Sequence, residues 1–217
     1  MDGGFANRLV AGERLAEALA AYRETDSVVL GMARGGVEVG YAVALALSLP
    51  LRALIVQKLG APQNPELAIG AVSETGAVEL DAEIVRATGA DRDYVTAEVQ
   101  HKVAEARRRQ EAYHAGGDLD IVRGRIGIIV DDGIATGASA LVAARSTRQL
   151  GAREVVLATP VASPQAASML RHHVDRLIVL ATPEPFMAVG LYYGNFDQVS
   201  DEQVMHYLHE AESGGTD

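Results

Sequence analysis

Two adjacent carboxylates, Asp131 and Asp132, stand at the end of an apolar run and at the start of a glycine-containing loop. The run, residues 125–130, is short and β-branched, which is typical of a strand buried on both faces of a parallel sheet. Such sheets bind their ligands at the carboxyl ends of the strands. Carboxylates placed there can accept hydrogen bonds from sugar hydroxyls or help to hold Mg²⁺.

The loop that follows, residues 133–139, has the composition of an anion site and is called the glycine loop below. Gly133 and Gly137 allow backbone conformations and close approaches that a Cβ would obstruct, so the amides between them can turn toward an anion. Thr136 and Ser139 add hydroxyl donors. A helix beginning at the end of the loop would direct its free N–H groups and its positive dipole end at the same point. We therefore predict a phosphate site.

Three other interpretations of this segment compete with that prediction. A nucleoside-triphosphate P-loop needs a lysine after its second glycine, and this chain has Ala138 there, so that interpretation fails. A plain strand-turn-helix connection explains the glycines but gives no reason for two carboxylates at the start of a helix. An acidic pocket like that of response regulators also places aspartates at a strand end, yet it does not call for a phosphate-binding loop.

The ordered segment from Val130 to Gly137 resembles the phosphoribosyl pyrophosphate signature of the type I phosphoribosyltransferases: an apolar strand, two acidic residues and a G-x-x-T-G loop. The resemblance implies that Asp131 and Asp132 are the catalytic pair, which contacts the ribose hydroxyls and holds a Mg²⁺ cofactor, directly or through water and substrate. It further implies a 5′-phosphate site in the glycine loop. The residues concerned are Gly133, Ile134, Ala135, Thr136, Gly137, Ala138 and Ser139.

A second candidate anion site, called the arginine loop below, is the sequence Ala-Arg-Gly-Gly at residues 33–36, between a predicted strand and a predicted helix. Its backbone could form an anion nest beside the fixed charge of Arg34. A tight turn with a solvent-facing arginine explains the same residues equally well. In the type I family the loop after the first core strand binds pyrophosphate, and the resemblance therefore assigns Arg34, Gly35 and Gly36 to pyrophosphate.

Lys58 follows the next predicted strand, and the chain contains only one other lysine, Lys102. Family members commonly place a basic residue at this point, where it meets the pyrophosphate. The resemblance therefore predicts that Lys58 binds pyrophosphate. The alternative is a solvated charge at the end of a strand.

The resemblance also predicts a flexible lid over about residues 60–115 and a small hood over about residues 182–199. Lids of this kind close over the reactants and exclude water. The hood is rich in aromatic residues, on which a flat heterocycle would stack. From it we select Phe186, Gly190 and Tyr192 as the candidate contacts to the base, although a surface loop anchored by aromatic side chains would look the same.

Composition limits the partners of this chain of 217 residues. A formal net charge of −10 argues against a nucleic-acid-binding surface. The absence of cysteine excludes disulfides, thiol catalysis and thiolate metal sites. The N-terminus has no signal-peptide pattern, and no apolar run is long enough to span a bilayer. We therefore expect a cytoplasmic protein with no membrane partner.

Predicted strands and helices alternate along the chain, which indicates an α/β fold. We predict a parallel central sheet flanked by helices, with a Rossmann-like core, in a single domain over residues 1–217. A hairpin is expected within residues 67–80, around Glu74 to Gly76. The predicted strands are 27–32, 51–56, 125–130, 154–159 and 175–180, and the predicted helices are 9–22, 37–47, 91–114, 140–150, 164–172 and 200–209.

The resemblance implies a glycosyltransferase that moves the phosphoribosyl group of 5-phosphoribosyl 1-pyrophosphate to a nitrogen nucleophile, a nucleobase in nucleotide salvage, and releases pyrophosphate. The acceptor stays open. In the family's 6-oxopurine enzymes, a lysine in the hood contacts the exocyclic oxygen of the base. No lysine follows Lys102 in this chain, which counts against 6-oxopurines as the acceptor. The glycine-rich hood of uracil enzymes and the basic lid of orotate enzymes are also missing. The nearest resemblance is to a less characterised bacterial branch with an Arg-Gly-Gly loop, Lys-Leu-Gly-Ala-Pro and a Tyr-Tyr hood.

Two further expectations concern the whole protein. The alternative function is a regulatory or sensor protein that binds phosphoribosyl pyrophosphate without physiological transfer. The resemblance also allows a homodimer, because type I enzymes are often dimers, but the oligomeric state stays open.

Overall fold

The structure, a computed structural model, describes residues 4–113 and 118–213. The strands in these ranges are β1 (Ser27–Met32), β2 (Leu51–Leu54), β3 (Val56–Ala61), β4 (Asn64–Ser73), β5 (Val78–Leu80), β6 (Ile126–Val130), β7 (Glu154–Val161) and β8 (Arg176–Ala181). The α-helices are α1 (Arg8–Ala18), α2 (Gly35–Leu47), α3 (Ala82–Thr88), α4 (Arg92–Ala112), α5 (Ala138–Gln149), α6 (Pro164–Leu170) and α7 (Asp201–Ser213).

The central sheet is parallel throughout and has the strand order β2-β1-β6-β7-β8. After β2 the chain returns to the other side of β1, so the direction of winding reverses between β1 and β6. Open parallel sheets bind ligands at this switch point, outside the carboxyl ends of the strands. Gly31 of β1 pairs with Val130 of β6. The register therefore places the arginine loop and the acidic pair, Asp131 and Asp132, side by side.

Hydrophobic clusters cover both faces of the central sheet, which explains why every residue of β1 and β6 is buried. One cluster packs α1, α2 and α7 against the sheet, and the other packs α5 and α6 on the opposite face. Helices α1 and α2 approach closely because Gly12 faces α2: a Cβ there would lie 2.5 Å from the carbonyl oxygen of Val39. This contact brings the beginnings of the two helices together.

A second, antiparallel sheet consists of β3, β4 and β5. Strands β4 and β5 and helices α3 and α4 lie in the predicted lid segment, whereas most of β3 precedes it. The single strand predicted over residues 51–56 is wrong, because the chain leaves the parallel sheet after Leu54 and Val56 begins a new strand that pairs with β4. Leu59, Ile69 and Val72 form the centre of a separate small hydrophobic cluster. This sheet therefore has a small cluster of its own, and it also packs on the parallel-sheet layer, where Ala71 and Ala77 contact Val142 of α5.

The predicted α/β fold with a parallel central sheet and flanking helices is confirmed. The predicted hairpin is also confirmed, since Val72 pairs with Val78 across a turn in which Gly76 has φ +87°. The first helix is shorter than predicted, because a 3-10 turn over Ala20–Tyr22 follows α1. The predicted end of α4 at His114 and the last predicted lid residues, 114–115, lie outside the described residues.

Ser200 and Gln203 form a capping box at the start of α7, because each side chain accepts a hydrogen bond from the backbone amide of the other residue. In the described part of the chain, no helix combines the length and the apolar composition needed to cross a membrane.

Candidate functional site

The acidic pair follows β6 directly, and both residues are half-buried. Its backbone is held by its neighbours: the amide of Asp131 donates to the carbonyl of Ala158 at 3.3 Å, in β7. Oδ1 of Asp131 accepts from the amide of Asp132 at 3.0 Å. The strand end and this local hydrogen bond fix the first carboxylate, so the pair is presented at the switch point of the sheet.

Asp132 is anchored by two residues that sequence reasoning did not select. Its Oδ2 accepts a hydrogen bond from Nε of Arg8 at 2.8 Å, and this arginine, the first residue of α1, is almost fully buried. The hydroxyl of Tyr193 donates to the backbone carbonyl of Asp132. The Tyr-Tyr pair in the hood was a signal for Tyr193. No local signal marks Arg8, which lies 124 positions before its partner.

The electrostatics of the acidic pair oppose full ionisation. Burial raises the pKa of Asp131 well above its ordinary value, and the neighbouring charge of Asp132 raises it further. Burial also raises the pKa of Asp132, although the hydrogen bond and charge of Arg8 act in the opposite direction. A cation beside the pair would favour its charged form.

The glycine loop is fixed at both ends and leaves its amides available. The amide of Ile134 donates to Val161 at 2.9 Å, and Oγ of Ser163 donates to the carbonyl of Ala135 at 2.6 Å. Gly137 has φ +87° immediately before α5, a conformation that favours glycine. Within the described residues, no protein acceptor receives a hydrogen bond from the amides of residues 135–139. These amides and the start of α5 are therefore available as donors to an anion, as the sequence predicts.

Gly133 is required for space and not for an unusual φ. A Cβ at Gly133 would lie 2.2 Å from Cγ1 of Val189 in the hood. The hood therefore packs directly on the first residue of the glycine loop.

The arginine loop contacts the acidic pair. A Cβ at Gly35 would lie 2.0 Å from Oδ2 of Asp132, and one at Gly36 would lie 2.5 Å from the carbonyl oxygen of Val130. The peptide bond between Ala33 and Arg34 is cis. Only glycines allow this approach, so the two predicted anion loops form one continuous site.

Arg34 itself extends toward the last helix. Its Nη1 lies 3.8 Å from Oδ1 of Asp201 at the start of α7, and its side chain is 31% exposed. The same Asp201 oxygen accepts a hydrogen bond from Tyr113 at the end of α4. Arg34 is therefore partly accessible and partly neutralised.

Lys58 does not lie at a strand end, as predicted, but in the middle of β3, where it pairs with Ala71. The correction has a physical cause: the residues after Leu54 pair with β4 and extend a second sheet. Lys58 is exposed. It makes no ion pair in the ranges 4–113 and 118–213, so its charge is available to a ligand.

A cavity of about 670 Å³ separates the glycine loop from the hood. Thr136 lies on one side, and Glu184 and Phe186 lie on the other. Of the three predicted hood residues, Phe186 lines this cavity. Tyr192 stacks on Phe186 with ring centroids 5.6 Å apart.

Gly190, the third predicted hood residue, packs instead against Phe196, whose Cδ1 would lie 3.0 Å from a Cβ at Gly190. Tyr192 and Gly190 therefore pack against aromatic side chains of the hood.

Comparison with known proteins agrees with this geometry. The family model described as "Phosphoribosyl transferase domain" matches residues 6–193. Two curated proteins from Mycobacterium tuberculosis, of strains CDC 1551 and H37Rv, are each 43% identical over 207 residues. Both carry a provisional phosphoribosyl transferase name. The alignment covers 95% of this chain but only 47% of each relative, so the chain spans about half the length of the curated relatives that it matches.

A solved structure extends the agreement to three dimensions. The crystal structure of TT1426 from Thermus thermophilus is 42% identical, with a TM-score of 0.79. The alignment covers 95% of this chain and 98% of that one. The parallel sheet, the joined anion loops and the match over residues 6–193 lead to one conclusion: the chain belongs to the phosphoribosyltransferase family.

Proposed function

We propose that the chain binds 5-phosphoribosyl 1-pyrophosphate and transfers its phosphoribosyl group to a nitrogen nucleophile of the nucleobase class, releasing pyrophosphate. The observation that carries the proposal is the direct contact between the arginine loop and the acidic pair, with Gly35 against Asp132. A donor with phosphates at both ends of a ribose needs two anion sites on either side of hydroxyl acceptors. The contact is consistent with these parts lying in that order.

In this proposal each loop binds one part of the donor. The free amides of residues 135–139 and the start of α5 bind the 5′-phosphate. The carboxylates of Asp131 and Asp132 accept hydrogen bonds from the ribose hydroxyls. The backbone of Gly35 and Gly36, together with the charges of Arg34 and Lys58, binds pyrophosphate.

The acidic pair also fits Mg²⁺. The described residues contain no cluster of three or more potential metal-ligating side chains, and Mg²⁺ typically uses one or two carboxylates together with substrate phosphates and waters. Asp131 and Asp132 supply such a pair, and their raised pKa values are consistent with a pair that takes up a cation with its substrate. When bound, Mg²⁺ would neutralise charge on the pyrophosphate leaving group.

The chemical step requires little covalent participation from the protein. The nucleophile's nitrogen lone pair forms a bond to the anomeric carbon as the bond to pyrophosphate oxygen breaks. The electron pair leaves with pyrophosphate, and the proton of the attacking nitrogen is released to solvent. Positive charge builds on the ribose ring, where the carboxylates of Asp131 and Asp132 stabilise it. The remaining contribution is the alignment of donor and acceptor.

The acceptor site in this proposal is the cavity between the glycine loop and the hood. Phe186 offers a ring for stacking, and the carboxylate of Glu184 offers an acceptor for a heterocyclic N–H. Tyr192 fixes the ring of Phe186 from the other side. The proposal also includes a cytoplasmic location, and it treats residues 1–217 as one domain whose lid is the antiparallel sheet with α3 and α4.

A panel of nucleobases tests the function. The purified chain is incubated with Mg²⁺, phosphoribosyl pyrophosphate and one base at a time, and pyrophosphate release is followed with a coupled assay. Base-dependent release with formation of the ribonucleotide, detected by mass spectrometry, is the expected result. The D131N/D132N double variant serves as the inactive control.

Calorimetry with phosphoribosyl pyrophosphate and Mg²⁺ distinguishes the transferase from the alternative, a regulatory protein that binds the donor without transfer. Tight binding of the donor with no release for any base would favour the regulatory protein over the transferase. Failure to bind the donor at all would contradict both functions.

A further inference from the structure

We propose that Arg8 is a positioning residue that holds Asp132 in place for the donor ribose and docks the hood onto the acidic pair. The inference rests on the proposed function, because it assigns how one proposed ribose contact is oriented. Arg8 itself need not touch the substrate.

The contacts of Arg8 join four separate parts of the fold. Its Nε donates to Oδ2 of Asp132 at 2.8 Å, and its Nη1 donates to the carbonyl oxygen of Asp197 at 2.7 Å. Nη1 also lies 3.7 Å from the carboxylate of Glu38 in α2. The guanidinium carbon sits 3.9 Å from the ring centroid of Phe196. One side chain therefore links α1, α2, the acidic pair and the hood.

The surroundings of Arg8 hold its side chain in one position. The side chain of Arg8 is only 7% exposed. Its helix begins at a cap in which the side chain of Asn7 accepts from the amide of Val10 at 3.0 Å. The close contact of Gly12 with Val39 holds α1 near α2, the helix that carries Glu38. A buried charge without its partners is costly, so these contacts hold each other in place.

Arginine suits this position better than lysine. A planar guanidinium can donate along several directions in one plane while its face rests on an aromatic ring, whereas an ammonium is a compact point charge. At Arg8 the Nε and Nη1 donors meet different acceptors, and the face meets Phe196. Lysine could keep the charge near Asp132 but could not make the whole set of contacts.

Calorimetry on the wild type and three single variants tests the positioning of Asp132. Phosphoribosyl pyrophosphate with Mg²⁺ is titrated into the wild type, R8M, R8K and R14M. Arg14 is the matched control because it lies in the same helix, is exposed, and has its guanidinium 5.2 Å from the Phe5 ring. We expect R8M to weaken donor binding about 10- to 100-fold, the size of effect seen when a residue that orients a metal-binding side chain is replaced. R8K should restore part of the affinity, and R14M should match the wild type.

A double-mutant cycle distinguishes positioning from general stabilisation. If Arg8 acts through Asp132, R8M should cause little further loss of donor affinity in the D132N background. A residue that only supports the fold would give additive losses. Hydrogen exchange tests whether Arg8 holds the hood in place. R8M should raise the exchange of backbone amides over residues 182–199, while R14M should not.

The results that overturn the inference differ from those that overturn the function. Wild-type donor affinity in R8M, additive losses in the cycle, or unchanged exchange in the hood would each contradict the role of Arg8 while the proposed function stands. If the wild-type chain itself does not bind phosphoribosyl pyrophosphate, the proposed function fails, and this inference fails with it.

Discussion

The two sheets of this protein differ in how their strands are buried. Strands β1 and β6 of the parallel sheet are buried along their whole length, and the loops at their ends are pressed together. Strand β4 of the antiparallel sheet begins with four exposed residues, Asn64 to Leu67, and becomes buried only in its second half. The acidic pair and the two loops beside it therefore lie at the ends of the first sheet, whereas the proposed lid is built from the second.

The contrast also concerns the cores. Parallel β1 and β6 pack in the two large clusters that cover both faces of the sheet, whereas β3 and β4 contribute Leu59 and Ile69 to a small separate cluster. Local stability in proteins follows the density of such buried contacts. We therefore expect the parallel sheet to hold the site in a fixed geometry and the antiparallel sheet to be the more mobile of the two. Four experiments test this difference.

The largest effect is expected at the fixed site. The D131N/D132N variant should lose transfer by at least about a thousandfold, because the acceptors for the ribose and the charges that stabilise the cationic ring are lost together. The fold should be retained, since relief of the burial and repulsion that raise the pKa of Asp131 offsets part of the loss of the charged partner of Arg8. Steady-state kinetics, with circular dichroism to check the fold, measures both. Full activity would contradict the assignment of the pair.

The second effect concerns stability in the antiparallel sheet. Glu74, in the turn between β4 and β5, is only 7% exposed, and burial raises its pKa from the ordinary 4.5 to about 7. The folded state therefore binds more protons than the unfolded state between these values, and stability should fall as pH rises from about 4.5 to 7 and level off above. The loss is on the order of 3 kcal/mol.

Urea unfolding across this pH range, on the wild type and E74Q, measures the contribution of Glu74. The variant should have a flatter profile than the wild type between these pH values. The exposed Glu66, in strand β4, provides the matched control, E66Q. An identical pH slope in wild type and E74Q would show that Glu74 does not titrate as its burial requires.

The third effect compares the same kind of substitution in both sheets. A Cβ at Gly35 would lie 2.0 Å from Asp132 Oδ2, and one at Gly70 in β4 would lie 2.2 Å from the carbonyl oxygen of Glu79. Both alanine variants should lower stability, because overpacking typically costs about 1–3 kcal/mol. Only G35A should weaken binding of phosphoribosyl pyrophosphate, by about 2 kcal/mol or roughly thirtyfold.

Thermal denaturation and calorimetry read these two quantities separately. An equal loss of donor affinity in G70A and G35A would contradict the division between a fixed site and a separate second sheet.

The smallest effect is expected at the chain's two lysines. Lys58 is exposed on β3 and proposed to meet pyrophosphate, whereas Lys102 in α4 pairs with Glu105 at 2.9 Å. K58M should weaken pyrophosphate binding by about 1.5 kcal/mol, or roughly tenfold, as for one charged hydrogen bond. K102M should leave it unchanged. Competition of pyrophosphate against the donor measures the effect, and equal affinities in both variants would remove Lys58 from the site.

The sequence predicted those parts of the fold whose signal is local. The strand over residues 27–32 was predicted with its observed limits, because six successive buried residues need no distant partner to be recognised. The capping box at Ser200 was predictable for the same reason, since its two hydrogen bonds span three positions. The acidic pair and the glycine loop were predictable as well, because their residues are consecutive in the sequence.

The sequence could not predict features that depend on distant strands and helices. The division of residues 51–56 between two sheets depends on β4, which is absent from any local window. Arg8 meets Asp132 across 124 positions and Asp197 across 189. Gly190 and Tyr192 resemble Phe186 as hood residues, yet only packing shows that Phe186 alone of the three lines the cavity.

Neighbouring residues were enough to specify the parallel α/β core, the acidic pair at a strand end and the anion loop that follows, because strand burial, glycine freedom and helix starts are local properties. Three other features arise only in the folded chain: the arginine loop touches the acidic pair, Arg8 holds Asp132, and Lys58 belongs to a second sheet. These features depend on strand order and close helix packing, which bring together residues that no local pattern connects.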